Sequence, residues 1–185
     1  MIRRLCPLLA APLLIALSTV SVHAYEPGTA GLLFLRLGVG ERAAGMGEAY
    51  TALAQDATAL YWNPAGLARL GTTQIHLMHN EWLQSLRQEF AGVGHPTPYG
   101  TFALGVTALS MDDMELREEV PTADPLGHFS AFDIAVHLGY GRSLPYDVDA
   151  GVAVKWIYSR LYEESAKGFL FDLGLRHEAT IPAQG

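Results

Sequence analysis

Regular alternation between large apolar residues and small or polar ones is the feature that most limits how this chain can fold. Between Ala131 and Gly141, every second residue is large and apolar, and the residues between them are small or polar. Successive side chains of a β-strand point to opposite faces, so this segment is predicted to be a strand whose two faces have different neighbours. The large face of this strand carries Phe132, Ile134, Val136, Leu138 and Tyr140.

Other segments show or approach the same alternation, which predicts an all-β fold. The six predicted strands cover residues 72–80, 88–95, 101–111, 131–141, 150–162 and 168–178. Such alternation also fits a secreted β-sandwich, in which each sheet packs one face inward. A sandwich shows water a mostly polar face, whereas the small face here is rich in glycine and alanine. We therefore favour an antiparallel transmembrane β-barrel whose large face meets lipid.

Polar residues interrupt the small face of three successive predicted strands. They are Asp133, His137, Lys155, Asp172 and Arg176. Opposite charges on neighbouring strands can pair across a sheet. We expect these side chains to line the barrel interior and to hold the N-terminal part of the chain against the wall. Aromatic residues also lie near strand ends, where an interfacial girdle and ordinary β-propensity explain them equally well.

The connections between predicted strands alternate in length, as they do in outer-membrane barrels. Residues 80–87 and 112–130 are predicted to form long connections, and residues 96–100 and 143–147 short ones. The longest connection is rich in Asp and Glu. A solvated loop explains those acidic residues better than a cation site does, so no metal ion is predicted there.

The N-terminus has the layout of a signal peptide. Two arginines within Met1 to Arg4 precede an apolar run from Leu8 to Val22, and the small residues Val22 and Ala24 precede the expected cleavage point. Residues 1–24 are therefore predicted to be removed on export. They contain Cys6, which is the single cysteine, so the mature chain can form no disulfide. Its net charge would be about −9, which argues against a nucleic-acid partner.

No pattern in the sequence predicts an enzyme or a cofactor. The seven histidines are scattered. His76 and His79 lie on a predicted strand and would point to opposite faces, so they cannot share a metal ion. No serine has the glycine flanks of a nucleophile elbow. After the signal peptide, no window has the ~20 apolar residues of a membrane-spanning helix.

The stretch before the first predicted strand has a different composition, rich in alanine and glycine. Apolar residues at steps of three or four predict an amphipathic helix over about residues 41–61. Its face with Met46, Tyr50 and Leu53 is expected to pack against the wall or, if the protein is a transporter, against a hydrophobic ligand. Pro64 would end the helix, because it removes a backbone donor and disfavours helical geometry at Asn63. A tight turn is expected at Trp62 to Gly66.

This stretch resembles the N-terminal signature of the PorV/PorQ family of outer-membrane proteins. The matching segments are GERAAGMGEAYTALA at residues 40–54 and DATALYWNPAGLA at residues 56–68. The signature residues are Gly45, Met46, Gly47, Tyr50, Leu53, Trp62, Asn63, Pro64 and Ala65. The family is related to the FadL-like channels for hydrophobic compounds, which share the Asn-Pro-Ala element.

The resemblance implies a barrel of about fourteen strands in the outer membrane. Residues 25–70 would form an internal plug, and residues 71–185 would form the first part of a truncated barrel. The implied partners are outer-membrane lipid and either secretion-system proteins and exported substrates or hydrophobic small molecules. A role in type IX-like secretion or surface attachment is expected, with FadL-like uptake and a soluble secreted β-protein as alternatives.

Overall fold

The structure, a computed structural model, describes residues 32–117 and 124–178. The predicted signal peptide and the start of the predicted plug lie outside these residues. The chain divides into two compact units, residues 1–33 and residues 34–185. Leu32 and Leu33 are the described residues of the first unit, and the sheet belongs to the second.

The described residues of the second unit form one antiparallel sheet of six strands, in which each strand pairs with its neighbours in sequence. The strands are β1 (Gln74–Glu81), β2 (Leu86–Thr97), β3 (Gly100–Leu116), β4 (Gly127–Leu144), β5 (Val148–Leu161) and β6 (Glu164–His177). The predicted all-β, antiparallel class is confirmed. The strands extend beyond the predicted segments because backbone pairing continues past the end of the side-chain alternation.

The connection predicted at residues 80–87 is shorter than its predicted bounds but longer than the turns after β2 and β4. Residues 82–85 separate β1 from β2, against residues 98–99 after β2 and 145–147 after β4. β1 and β2 pair as far as Glu81 and Arg87, and Trp82 N donates to Leu86 O at 2.8 Å. A 3₁₀ turn at Leu83–Ser85 completes the reversal.

The two faces of the sheet differ in what covers them. On the large apolar face, Leu138 is 59 % exposed and Leu173 is 86 % exposed. On the opposite face, Ala135, His137 and Ala153 are all buried. We call these the exposed face and the covered face. Residues 34–70, the N-terminal segment, lie on the covered face.

The N-terminal segment contains only short helices. They are α1 (Glu41–Gly45), α2 (Ala59–Trp62) and a 3₁₀ turn at Pro64–Arg69, and a further 3₁₀ turn at Leu33–Arg36 leads into the segment. The predicted long helix over residues 41–61 was wrong, because Gly47 and Glu48 adopt positive φ angles of 59° and 65° that a helix cannot accommodate. In residues 32–117 and 124–178, no helix has the length and apolar character needed to cross a membrane.

Because residues 41–61 do not form one helix, the three residues predicted to share a face against the wall have different environments. Tyr50 is buried, with only 1 % of its surface exposed. Met46 and Leu53 are 41 % and 44 % exposed. Helical spacing had placed all three on one side, but the chain turns between them, and of the three only Tyr50 is buried among the described residues.

Candidate functional site

The junction between the N-terminal segment and the covered face is the candidate functional site, and the turn after α2 lies at its centre. Asn63 is extended and ends α2, and Pro64 begins the following 3₁₀ turn. The Asn63 Oδ1 atom accepts from Ala65 N at 3.1 Å. Its Nδ2 atom donates to Thr51 O at 3.3 Å and to Leu175 O at 3.4 Å. One side chain therefore joins the turn, the preceding loop and strand β6.

A row of glycines lets this turn approach the sheet. Gly141, Gly151 and Gly174 lie opposite one another on β4, β5 and β6. A Cβ atom at Gly151 would collide with the backbone of Pro64 and Ala65. At Gly141 it would lie 2.7 Å from the Pro64 carbonyl oxygen. Glycine in a strand often marks a close approach by another backbone, and here that backbone is the turn.

Apolar side chains on both sides of the turn fill the remaining space. Leu60 and Leu67 are fully buried. A Cβ atom at Gly139 would contact both of them, so the absence of a side chain there makes room for two leucines. The cluster also includes Tyr50, Ala54, Ala103 and Ala153. The small residues on the covered face therefore leave the space that Leu60 and Leu67 fill.

Among the predicted interior residues, Lys155 and Asp172 lie together. Lys155 Nζ is 2.7 Å from Asp172 Oδ2, and only 7 % of Lys155 is exposed. The same Nζ atom lies 5.3 Å from the centroid of the Tyr61 ring, within range of a cation–π contact. The pair thus connects two strands of the sheet with an aromatic ring of the N-terminal segment.

Tyr61 is anchored at its other end by the backbone. Its hydroxyl lies 2.6 Å from Leu35 O and 2.9 Å from Leu37 O, so it donates to one of two nearby carbonyls. Burial, followed by the charges of Glu48 and Asp172, raises the pKa of Tyr61 to about 12. The phenol therefore remains protonated and acts as a hydrogen-bond donor.

The other predicted interior residues make separate contacts. His137 is fully buried, and its Nε2 atom lies 2.9 Å from Thr107 Oγ1. Asp133 accepts a hydrogen bond from the Ser159 hydroxyl. In the described part of the chain, Arg176 Nη1 is buried without a hydrogen-bond partner. Only Lys155 and Asp172, of the four charged residues expected to pair, form an ion pair with each other.

An ion pair that the sequence patterns had not indicated fixes the end of the N-terminal segment. Arg69 Nε is 2.5 Å from Asp149 Oδ2, and the Asp149 side chain is 1 % exposed. Ser143 Oγ donates to the other carboxylate oxygen at 2.7 Å. Asp149 lies one residue before the segment predicted as a strand. Small-face residues occupy every second position of that segment, and Asp149 lies two residues before the first of them, Gly151. Extending the alternation by two residues would therefore have placed Asp149 on the small face.

The remaining signature residues organise the N-terminal segment itself. Trp62 Nε1 donates to Val39 O at 2.8 Å, and the Trp62 ring packs edge-on against Tyr50. The Tyr50 hydroxyl donates to Asp56 Oδ2 at 2.7 Å. Gly47 provides a positive φ, whereas a Cβ atom at Gly45 would contact nothing. Some signature residues therefore make contacts within the N-terminal segment, and others contact the sheet.

Asp56 caps the turn that leads into α2. Thr58 N donates to its Oδ1 atom at 2.9 Å, and the Thr58 hydroxyl contacts the same oxygen. Burial alone would raise the pKa of Asp56, but hydrogen bonds from Thr58 and Tyr50 outweigh it and hold the pKa below its ordinary value. The ionised carboxylate thus stabilises the turn.

The arrangement is suited to holding the N-terminal segment on the sheet. An open cleft of about 510 Å³ lies beside the turn, between residues 61–64 and strand β6, with Lys155 and Asp172 in its lining. Within residues 32–117 and 124–178, no group of three His, Cys, Asp or Glu side chains is placed to hold a metal ion. The polar contacts at the junction join the N-terminal segment to the sheet or lie within each of them.

Comparison with known proteins gives a family and nothing more specific. No curated protein and no solved structure matches the chain. A family model matches residues 18–143, which are more than half of the 185 residues and include the N-terminal segment and strands β1 to β3. The chain belongs to UPF0164, an uncharacterised protein family.

Proposed function

We propose that the protein is an outer-membrane β-barrel of the PorV/PorQ type. The six-stranded sheet is part of the barrel wall, the exposed face meets lipid, and the N-terminal segment is the plug inside it. The observation that carries this proposal is the orientation of the sheet: its large apolar side chains point away from the only segment that covers it within the described residues.

Water is a poor environment for the exposed face. Large apolar residues are exposed on β1 and on the four neighbouring strands β3 to β6, and Ile75, Leu77 and Phe171 are each more than 70 % exposed. Strand β2 carries Glu89, Ala91 and His95 on this face instead. Soluble monomers rarely expose a continuous apolar patch larger than a few hundred Å². A bilayer removes this cost, because its hydrocarbon region is as apolar as the side chains themselves.

The covered face argues against a soluble sandwich. In a sandwich, the large side chains of one sheet interdigitate with those of a second sheet. In residues 32–117 and 124–178, no second sheet covers Leu138 or Leu173, and the N-terminal segment occupies the other side. A barrel wall around a plug accounts for both faces.

Aromatic residues at the strand ends fit the same proposal. Tyr99 and Tyr146, in the turns after β2 and β4, are 75 % and 90 % exposed. Trp82 and Tyr162, in the turns after β1 and β5, are about half exposed at the opposite end of the strands. Rings at both ends of an apolar band are typical of membrane-interface girdles.

Cell fractionation of the full-length protein tests the location. We expect the protein in the outer-membrane fraction, released by detergent and not by salt or carbonate, with a band whose mobility shifts on boiling. A protein recovered in the soluble periplasm without detergent would refute the barrel proposal and support the soluble alternative.

Within the barrel proposal, the specific role is to support secretion or surface attachment of exported proteins. The signature around the Trp62 to Gly66 turn is the basis for this role. Deleting the gene should deplete surface-attached proteins while leaving other outer-membrane proteins at normal levels, measured by surface proteomics. Unchanged surface proteins would refute it.

A second role is uptake of hydrophobic compounds, as in FadL-like barrels. The observation in its favour is the open cleft of about 510 Å³ beside the Asn63 to Ala65 turn, which would give a path between plug and wall. The same deletion strain separates the roles, because loss of transport slows growth on long-chain hydrophobic substrates and leaves the surface proteins unchanged.

A further inference from the structure

A shallow groove crosses the exposed face near the short turns after β2 and β4. Its volume is about 440 Å³, and it runs over β5 between the side chains of β4 and β6. The groove exists because Ala150 is small. Ala150 lies opposite Arg142 on β4 and Leu175 on β6, both of which are long. Val152 and Leu173 continue the lining in the next row of the sheet.

One end of this apolar groove carries an exposed cation. Arg142 lies on the exposed face, between Tyr140 and Leu144 along β4. Among the described residues it has neither an ion pair nor a hydrogen bond through its side chain. An arginine on such a face has its apolar stem against the wall and its five donors free for an anion.

The position along the strand gives the source of that anion. Arg142 is three residues from the turn that begins at Pro145, and Tyr146 in that turn is 90 % exposed. If the exposed face meets lipid, as the proposed function requires, this level is the interface where lipid phosphates lie. Phosphate and guanidinium form paired charge-assisted hydrogen bonds.

We propose that the groove is a binding site for an anionic phospholipid of the surrounding bilayer. One acyl chain lies over Ala150, between the β4 and β6 side chains, and the phosphate binds Arg142. The site rests on the proposed function, since it needs the exposed face in a membrane. It adds a specific lipid contact at one point of a wall that otherwise meets lipid without selectivity.

Native mass spectrometry of the full-length protein in mild detergent tests the site, with dioleoyl phosphatidylglycerol and dioleoyl phosphatidylcholine as probes. We expect tight retention of one phosphatidylglycerol by the wild type. R142Q should weaken it about tenfold, because charge-assisted hydrogen bonds are lost. A150L should weaken retention of both lipids, because its side chain fills the groove. R160Q, which changes an exposed arginine on the other end of β5, is the matched control and should behave like the wild type.

The outcomes separate this inference from the proposed function. Each variant is first scored for the heat-modifiable band in the outer-membrane fraction. If the band is present and R142Q retains phosphatidylglycerol as well as the wild type, or R160Q loses as much as R142Q, the site is refuted and the barrel stands. If the wild type is not in the membrane at all, both are refuted.

Discussion

The two halves of the N-terminal segment have similar compositions and very different environments. The loop half, residues 41–53, leaves Met46 and Leu53 more than 40 % exposed. The turn half, residues 59–70, buries Leu60, Ala65 and Leu67 completely. Both are rich in alanine, and each contains leucine. The difference comes from the sheet: a row of glycines lies under the turn half, and a Cβ atom there would strike its backbone.

The comparison shows that the N-terminal segment packs closely on the sheet where the strands carry glycine and so have no side chain in the way. Where β4, β5 and β6 have no side chain, the backbone at Pro64 reaches the strands and Asn63 reaches a carbonyl of β6. The loop half is held mainly by its own contacts, such as Tyr50 to Asp56. Changes in the sheet should therefore affect the turn half far more than the loop half.

The largest effect is expected from G151V. A valine Cβ atom at this position would collide with the backbone of Pro64 and Ala65, which cannot move aside as a side chain could. We expect a loss of about 3 kcal/mol or more in the free energy of unfolding. G168V is the matched control, because a Cβ atom at Gly168 on β6 contacts nothing. Urea unfolding of the full-length protein measures both, and equal losses would contradict the glycine-row explanation.

The next largest effect is expected from D172A. It leaves Lys155 charged and buried without its partner, at a cost of about 2–3 kcal/mol. K155M should cost less, about 1 kcal/mol, because the Asp172 side chain keeps a third of its surface in water although its Oδ2 atom is buried. Urea unfolding of the full-length protein measures the two losses, and the reverse order would contradict this account.

A smaller effect is expected from N63A. The variant loses the cap to Ala65 N and the two bonds donated by Nδ2, which together are worth about 1–2 kcal/mol. N63S keeps a capping oxygen for Ala65 N and loses the two donated bonds, so it should fall between N63A and the wild type. Urea unfolding of the three proteins measures the losses. If N63S were as damaging as N63A, the cap would contribute nothing.

How far the sequence could predict these features depends on how local each one is. The alternation at residues 131–141 is local, and the two faces of β4 agree with it. The helix prediction failed because Gly47 and Glu48 take left-handed geometry, which is a property of the turn they form. The glycine row depends on the register of three strands, and a single-strand pattern contains no register.

The charged residues show the same limit. Lys155 and Asp172 were expected to pair because they lie on one face of successive strands. Arg176 met the same criterion, yet its neighbour in register, Asp149, binds Arg69 of the N-terminal segment. The alternation within one strand does not show that a cation from another segment, 80 residues away in sequence, binds the carboxylate instead. The sequence therefore predicted which face carries charge and only part of the pairing.

Lowering the pH should destabilise the protein through Asp56, which lies between the loop half and the turn half. The pKa of Asp56 is lowered in the folded protein, so its contribution to stability is present above the ordinary carboxyl pKa of about 4 and is lost as pH falls through the lower folded value. We therefore expect the free energy of unfolding to fall over this pH range. D56N removes the titrating group, and its urea midpoint should fall less steeply over the same pH range. Identical slopes would exclude Asp56 as the group responsible.

The smallest effect is expected from L53A, and its comparison with L67A tests the contrast between the halves most directly. Both remove the same atoms from a leucine. Leu53 is 44 % exposed, so its loss should cost less than about 0.5 kcal/mol, whereas fully buried Leu67 should cost about 3 kcal/mol through lost burial and a cavity against Gly139 and Gly141. Urea unfolding of the two variants gives the difference. Comparable losses would mean that Leu53 is packed as tightly as Leu67 in the intact protein, and the distinction between a free loop half and a bound turn half would no longer hold.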